Sequence, residues 1–285
     1  MALQDKYINP FTDFGFKKLF GTELNKDLLI DFLNTVILPE KRKIKDLTYK
    51  PTEQFGITES DRKSIFDIYC VGTNNERFVV EMQKAKQNYF KDRSVYYSSF
   101  PIQEQAIRGE WNFKLSEVFM VGILDFVFSD NKEESIVRHV VKLKNEKCQV
   151  FFDKLTFIYL EMPHFTKKES ELESNYDKWL FALKNLPDLQ NRPLALQEKI
   201  WKRLFEAAEI AKFNAVERNE YEGSLKVYRD LKNVIDTAFD DGKMEEKMDG
   251  IQKSLKRGKL TIEEIAEDFD VTVDFVMQIK MGAGL

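Results

Sequence analysis

Two acidic residues interrupt runs that otherwise read as buried strands. In "IFDIYC" Asp67 follows Ile65-Phe66 and precedes Ile68-Tyr69, and in "FVVEMQKA" Glu81 follows Phe78-Val79-Val80. A carboxylate in such a setting is costly unless something pairs with it. The linking "GTNNE" is short and rich in Gly and Asn, which is hairpin-turn chemistry. A turn around Asn74 sets Asp67 opposite or nearly opposite Glu81. Alternation then groups Val79, Glu81 and Gln83 on one strand face and Phe78, Val80 and Met82 on the other. Two close carboxylates repel each other and raise one pKa unless a cation neutralises them. A hard divalent ion, Mg²⁺ or Mn²⁺, meets that need with one or two protein carboxylates, waters and substrate phosphate. It polarises a phosphoryl oxygen and acidifies a bound water, so the chemistry supported is hydrolysis of a phosphodiester. The alternative is an accidental pair, one acid capped by Arg or Lys and the other facing solvent at a strand end. Gln83 adds a neutral amide that both donates and accepts, a type common at surfaces and strand edges.

The elements that position these residues follow from the hydrophobic pattern. Leu28, Leu29, Phe32, Leu33 and Val36 recur at helical spacing. Leu47, Tyr49 and the neighbourhood of Thr52 read as a first short strand, followed by strands over Ser64–Val71 and Arg77–Gln83. Residues 87–108 read as a helix that Pro101 should kink or interrupt. "SEVFMVGILDFVF" predicts a central strand, and Ile136–Leu143 and Leu155–Leu160 predict two more. Beyond Glu169 the pattern is amphipathic helix without strand signals. "LTIEEIAEDFDVTVDFVMQI" reads as two short helices around a break near Asp270, a helix-turn-helix spacing. The expected division is therefore 1–168, a helical extension 169–250, and a small C-terminal segment 251–285.

Composition bounds the function. The 285 residues are 43% hydrophobic and 13% aromatic, with 24 Phe, enough for a large core. The net charge is -4, so DNA contact would need a local basic patch. Two cysteines, Cys70 and Cys148, give no disulfide framework, and His139 and His164 are the only histidines, which excludes zinc chemistry built on His/Cys clusters. No apolar run is long enough to span a bilayer, and "MALQDKYINPF" lacks the charged start and apolar centre of a signal peptide, so a cytoplasmic protein is expected.

Taken together, "DIYC … FVVEMQ" resembles the PD-(D/E)XK nuclease superfamily. It looks like the branch of recombination-promoting nucleases and transposases whose second motif reads Glu-x-Gln in place of Glu-x-Lys. "TDFGFKKLFG…NKDLLIDFLN", "RSVYYSSFPIQEQAIRGEWNFKLSEV" and "VGILDFVF" carry the resemblance over most of residues 8–165, and "TIEEIAEDFDVTVDFV" resembles the branch's usual ending. The resemblance implies an α/β restriction-endonuclease-like core, a central mixed sheet flanked by helices, with a helical C-terminal extension. It also implies Asp67 and Glu81 as metal ligands for Mg²⁺ or Mn²⁺, Gln83 in the place of the superfamily's catalytic lysine, and DNA as substrate in recombination or mobile-element activity. Glutamine can orient by hydrogen bonding but brings no charge to the transition state. Lys84 is adjacent, but alternation points it to the opposite face, and Lys86 is too far along to place.

Accessory candidates are Asp13, Arg93 and Tyr97. Asp13 precedes a helical run, where it reads as an N-cap or as an extra ligand; Lys17 and Lys18 read as a solvated face or a phosphate contact. Arg93 and Tyr97, four apart, share a helix face, with Arg93 either clamping a phosphate or pairing with a buried acid from the hairpin. Asp125 in "GILDFVF" is a third acid in an apolar strand, structural or part of a polar cluster. His139 and His164 have no ligand-type partner at useful spacing, and Tyr96, Phe100 and Trp111 read as core. In "EEIAEDFD" five of eight residues are acidic, which would repel a phosphate backbone, so the helical C-terminal region is as good a homodimer contact as a DNA contact. The rival to a Mg²⁺-dependent endonuclease is a nuclease fold that binds DNA or protein without cleaving.

Overall fold

The computed structural model describes residues 5–38, 43–54, 64–106, 109–128 and 135–283. Its centre is a six-stranded mixed sheet built from β1 (Leu47–Tyr49), β4 (Ile68–Gly72), β5 (Arg77–Gln83), β6 (Val118–Leu124), β7 (Arg138–Lys144) and β8 (Val150–Glu161). The strands lie in the order β1-β4-β5-β6-β8-β7, and β2 (Glu53–Gln54) pairs with β3 (Ser64–Ile65) in a separate two-stranded sheet. β5, β6 and β8 run parallel while β1/β4, β4/β5 and β7/β8 are antiparallel. A parallel pair needs a crossover, and helix α3 (Phe90–Gln103) supplies it between β5 and β6.

The parallel strands are apolar on both faces because helices cover both. On one face Phe78, Val80, Phe119, Val121, Ile158 and Leu160 belong to the main core. With them lie residues of α1 (Asp13–Phe20), α2 (Lys26–Phe32), α4 (Asn175–Asn185) and α5 (Lys199–Ala208). The α5 stripe Trp201, Leu204, Phe205 and Ala208 is buried at helical spacing. α4 begins with a capping box: the Ser174 hydroxyl accepts from the Asp177 amide at 3.1 Å and the Asp177 carboxylate accepts from the Ser174 amide at 3.2 Å. On the opposite face Val79, Met120, Leu124, Phe157 and Tyr159 pack with Phe90 of α3 and with Phe66 and Tyr69.

The chain divides into two compact units, Met1–Tyr228 and Arg229–Leu285. Helix α6 (Ala215–Arg257) begins in the first, where Tyr221 and Leu225 join the main core. In the second, Ile251, Ile265, Ala266, Val276 and Ile279 form a small core around α7 (Ile262–Asp268) and α8 (Val273–Gly282), which flank Asp270 at φ +49°. Among the described residues no helix is long and apolar enough to cross a membrane.

Three elements differ from the sequence expectation. The strand expected over Ser64–Val71 is broken: up to Phe66, whose amide donates to Thr52 O at 2.9 Å, the chain pairs with the β2 side, and from Ile68 it pairs with β5. Asp67 sits at the switch. α3 tolerates Pro101 in its last turn and ends at Gln103, where few carbonyls are left to lose a partner; the expected end at Arg108 lies outside the described residues. β6 stops at Leu124, so Asp125 follows the strand instead of lying in it.

Candidate active site

The β4–β5 hairpin turns where the Gly and Asn residues require. Asn75 adopts a left-handed φ of +63°, which Asn tolerates, and its amide donates to Gly72 O at 3.0 Å. The register pairs Ile68 with Val80, and the rung beyond it is Asp67 with Glu81. There the two side chains take over from the ladder. The Asp67 amide donates to Glu81 Oε1 at 3.2 Å, and the Met82 amide donates to Asp67 Oδ2 at 2.8 Å. Each carboxylate is thus fastened to the other strand's backbone, which brings the two acids together as the hairpin spacing predicted.

Glu81 is buried, and its carboxyl is pushed up to about 8, first by burial and then by the Asp67 charge; the Asp67 amide and the charges of Arg93 and Lys17 pull the other way. Asp67 is also raised, chiefly by burial, with the Met82 amide opposing. The pair is short of positive charge and offers only oxygen donors, the chemistry a hard divalent ion suits. Among the described residues no group of three or more His, Cys, Asp or Glu side chains is placed to hold a metal.

Gln83 is buried on the Glu81 side of β5 and is held at both ends. Its Nε2 donates to Ala85 O at 3.1 Å, and its Oε1 accepts from Arg93 Nη2 at 2.6 Å. Arg93 and Tyr97 do share a face of α3, with the guanidinium 5.7 Å from the Tyr97 ring. Among the described residues the Arg93 side chain donates to Gln83 and Gln87 and to no acid of the hairpin, while Glu81 senses its charge from farther off. The Tyr97 hydroxyl is raised by burial and by the charge of Glu81.

Asp67 also borders a cleft of about 820 Å³ lined by Asp13, Lys17, Lys18, Glu217 and Ser224 among others. Asp13 is not the cap of α1: Thr12 is, its hydroxyl accepting from the Gly15 amide at 3.0 Å, and Asp13 pairs with Lys17 at 2.9 Å across the first turn. A threonine one residue earlier does the same chemistry and leaves Asp13 facing the cleft. Lys18 pairs with Glu217 of α6. Lys84, just past the end of β5, is half-buried, and burial lowers its pKa; it nonetheless senses Asp67 and Asp13, so strand alternation does not remove it from the site's field.

Other expectations resolve away from the acid pair. Asp125 accepts from the Tyr228 hydroxyl at 3.0 Å, a tie to α6. Tyr96 is half exposed against Phe100, and Trp111 is partly exposed beside Phe113, so neither is core. The two histidines do have a carboxylate partner. Both Nε2 atoms approach Glu161 Oε2, His139 at 3.6 Å and His164 at 3.3 Å, and Glu161 also accepts from the Phe128 amide at 3.2 Å. The i,i+3 spacing of Glu161 and His164 was the available signal; the His139 approach depends on β7/β8 pairing, which puts His139 beside Tyr159.

No curated protein and no solved structure matches the chain. A family model does, described as PD-(D/E)XK nuclease family transposase, and it covers residues 10–238. That span takes in the whole sheet, the acid pair, α3 and the helices of the main core, so the chain belongs to the PD-(D/E)XK nuclease family of transposases.

Proposed function

We propose that this protein is a Mg²⁺- or Mn²⁺-dependent DNA endonuclease acting in recombination or on mobile elements. The observation that carries the reading is the reciprocal Asp67–Glu81 arrangement, two carboxylates crowded together in a buried setting and each locked by a backbone amide. Asp67 and Glu81 would hold the ion, which supplies Lewis acidity toward a phosphoryl oxygen and acidifies a water when bound. The chain's own residues do the rest. The amides of Asp67 and Met82 keep the carboxylates in place before substrate arrives. Gln83, Arg93 and Tyr97 line the α3 side and Asp13 and Lys17 the cleft side, with Lys84 in the field of Asp13 and Asp67. Hydrolysis adds the water oxygen to phosphorus, breaks one P–O ester bond, and leaves a phosphate monoester and a hydroxyl.

Purified protein incubated with supercoiled plasmid and Mg²⁺ or Mn²⁺ tests this. Asp67→Ala and Glu81→Ala should each lower nicking by about 1,000-fold, the factor that several kcal/mol of lost transition-state stabilisation represents. Nicking that persists in both variants would mean another protein did the cutting. A second reading, a nuclease fold that binds DNA or protein without cleaving, draws on Gln83, whose amide is neutral and engaged at both ends. Absence of nicking with every divalent ion tried would favour it.

A further inference from the structure

The α3 side of the acid pair presents a cation in a fixed pose. Arg93 Nη2 donates to Gln83 Oε1 at 2.6 Å and Nη1 donates to Gln87 Oε1 at 2.5 Å. The guanidinium carbon lies 5.1 Å from the Phe90 ring centre and 5.7 Å from that of Tyr97. A planar fork held by two amides and two rings has little freedom left. Its Nε is buried and has no hydrogen-bond partner, which leaves a donor to be satisfied, and each terminal nitrogen keeps a second N–H.

Charge balance gives this pose a purpose. Asp67 and Glu81 are acids, a phosphodiester adds a negative charge, and more builds on the phosphoryl oxygens as the P–O bond breaks. Gln83 contributes none to offset it. On the cleft side Lys17 is engaged by Asp13 at 2.9 Å and Lys18 by Glu217, and half-buried Lys84 lies in the field of Asp13 and Asp67. Arg93 differs, because both of its hydrogen-bond partners are neutral amides, so no contacting carboxylate cancels its charge. Gln83 in turn is braced by Ala85 O, which turns its carbonyl oxygen to the guanidinium.

We propose that Arg93 is the catalytic cation of this site, meeting the phosphate under attack, and that Gln83 is its positioning residue. The inference rests on the phosphodiester-cleavage reading above and adds to it a protein cation for the phosphate, beside the ion that would offset the two carboxylates. Position 83 then works by aiming a charge carried on α3, and an ammonium placed at 83 itself should do part of the same work.

Single-turnover plasmid nicking by the full chain tests it, alongside binding of a labelled DNA duplex without metal and thermal melting of every variant. Arg93→Gln keeps an amide but loses the charge, and should cut about 100-fold more slowly, the effect of deleting one transition-state donor. Gln83→Ala should lose about tenfold, since the charge remains but its aim does not. The double variant Gln83→Lys with Arg93→Gln should cut at least about tenfold faster than Arg93→Gln alone. Duplex affinity should stay within about threefold across the set, because the charge is used in the transition state and not in ground-state binding. Should Arg93→Gln melt well below the wild type, Arg93→Lys serves in its place: it keeps the charge, and when folded should cut within about tenfold of wild type, a loss of about 100-fold overturning the proposal. Wild-type rates in a folded Arg93→Gln, no recovery in a folded double variant, or a duplex affinity that falls in step with rate would each overturn the proposal and leave the endonuclease reading standing. A wild type that cuts with no divalent ion takes down both.

Discussion

With its carboxyl pushed up to about 8, Glu81 keeps a proton at neutral pH while the site is metal-free, and the pair with Asp67 titrates as one system. The unfolded chain releases that proton near the ordinary glutamate value of 4.5. The stability contributed by Glu81's raised affinity for its proton is therefore fully present below about pH 4.5 and is lost as pH rises through about 8. Melting curves of the metal-free protein should show wild type losing ground to Glu81→Gln from pH 5 to 8, with Mg²⁺ recovering the loss at pH 8; parallel profiles would refute the buried-pair account. The pairing itself was legible in the chain, because a turn centred on Asn74 makes 67 and 81 symmetric partners. What Gln83 touches was not, since its partner Arg93 arrives on a helix ten residues on whose docking depends on Phe90 and the sheet. The cap of α1 was misplaced by one residue for a different reason: Thr and Asp both cap well, and spacing does not choose between them.

At the scale of elements, the site depends on how closely α3 lies on the sheet. Gly122 of β6 stands directly beside Glu81 in register, and a Cβ there would come within 3.0 Å of the Tyr159 ring, 3.3 Å of Leu124 and 3.4 Å of Phe90. Those rings are what seat the first turn of α3, and with it Arg93. Gly122→Ala should cost about 1–3 kcal/mol in chemical denaturation, the usual effect of overfilling a packed core; an unchanged midpoint would show that the rings move aside freely. The apolar strands β5, β6 and β8 were readable as continuous hydrophobic runs. The interruption of β3–β4 at Asp67 was not, because the residues on both sides, Ile65-Phe66 and Ile68-Tyr69, are equally good strand formers. Only the competition between two pairing partners, β2 and β5, sets the break, and that is a tertiary fact.

For the whole molecule, the family match ends at residue 238, shortly after the first compact unit ends at Tyr228. That unit holds the sheet and both large cores, while the second rests on a small apolar cluster of its own. A chain shortened after residue 238 keeps Tyr221, Leu225 and Tyr228 and should melt within a few degrees of the full chain; a large fall would tie the last unit to the stability of the first. The order of strands and helices could be read along the sequence, yet the way the helices after Glu169 rejoin the main core could not, since Trp179, itself packed on Trp201, meets Phe20 and Phe32 across some 150 residues of chain. The same long-range closure brought both histidines to Glu161, in the row that runs from Gln83 through Leu124 to Glu161. Because the chain has no other imidazole, its entire histidine NMR spectrum comes from one spot at the edge of that row. The protein thus carries an unlabelled two-histidine probe, two strands away from the residue whose surroundings most need watching.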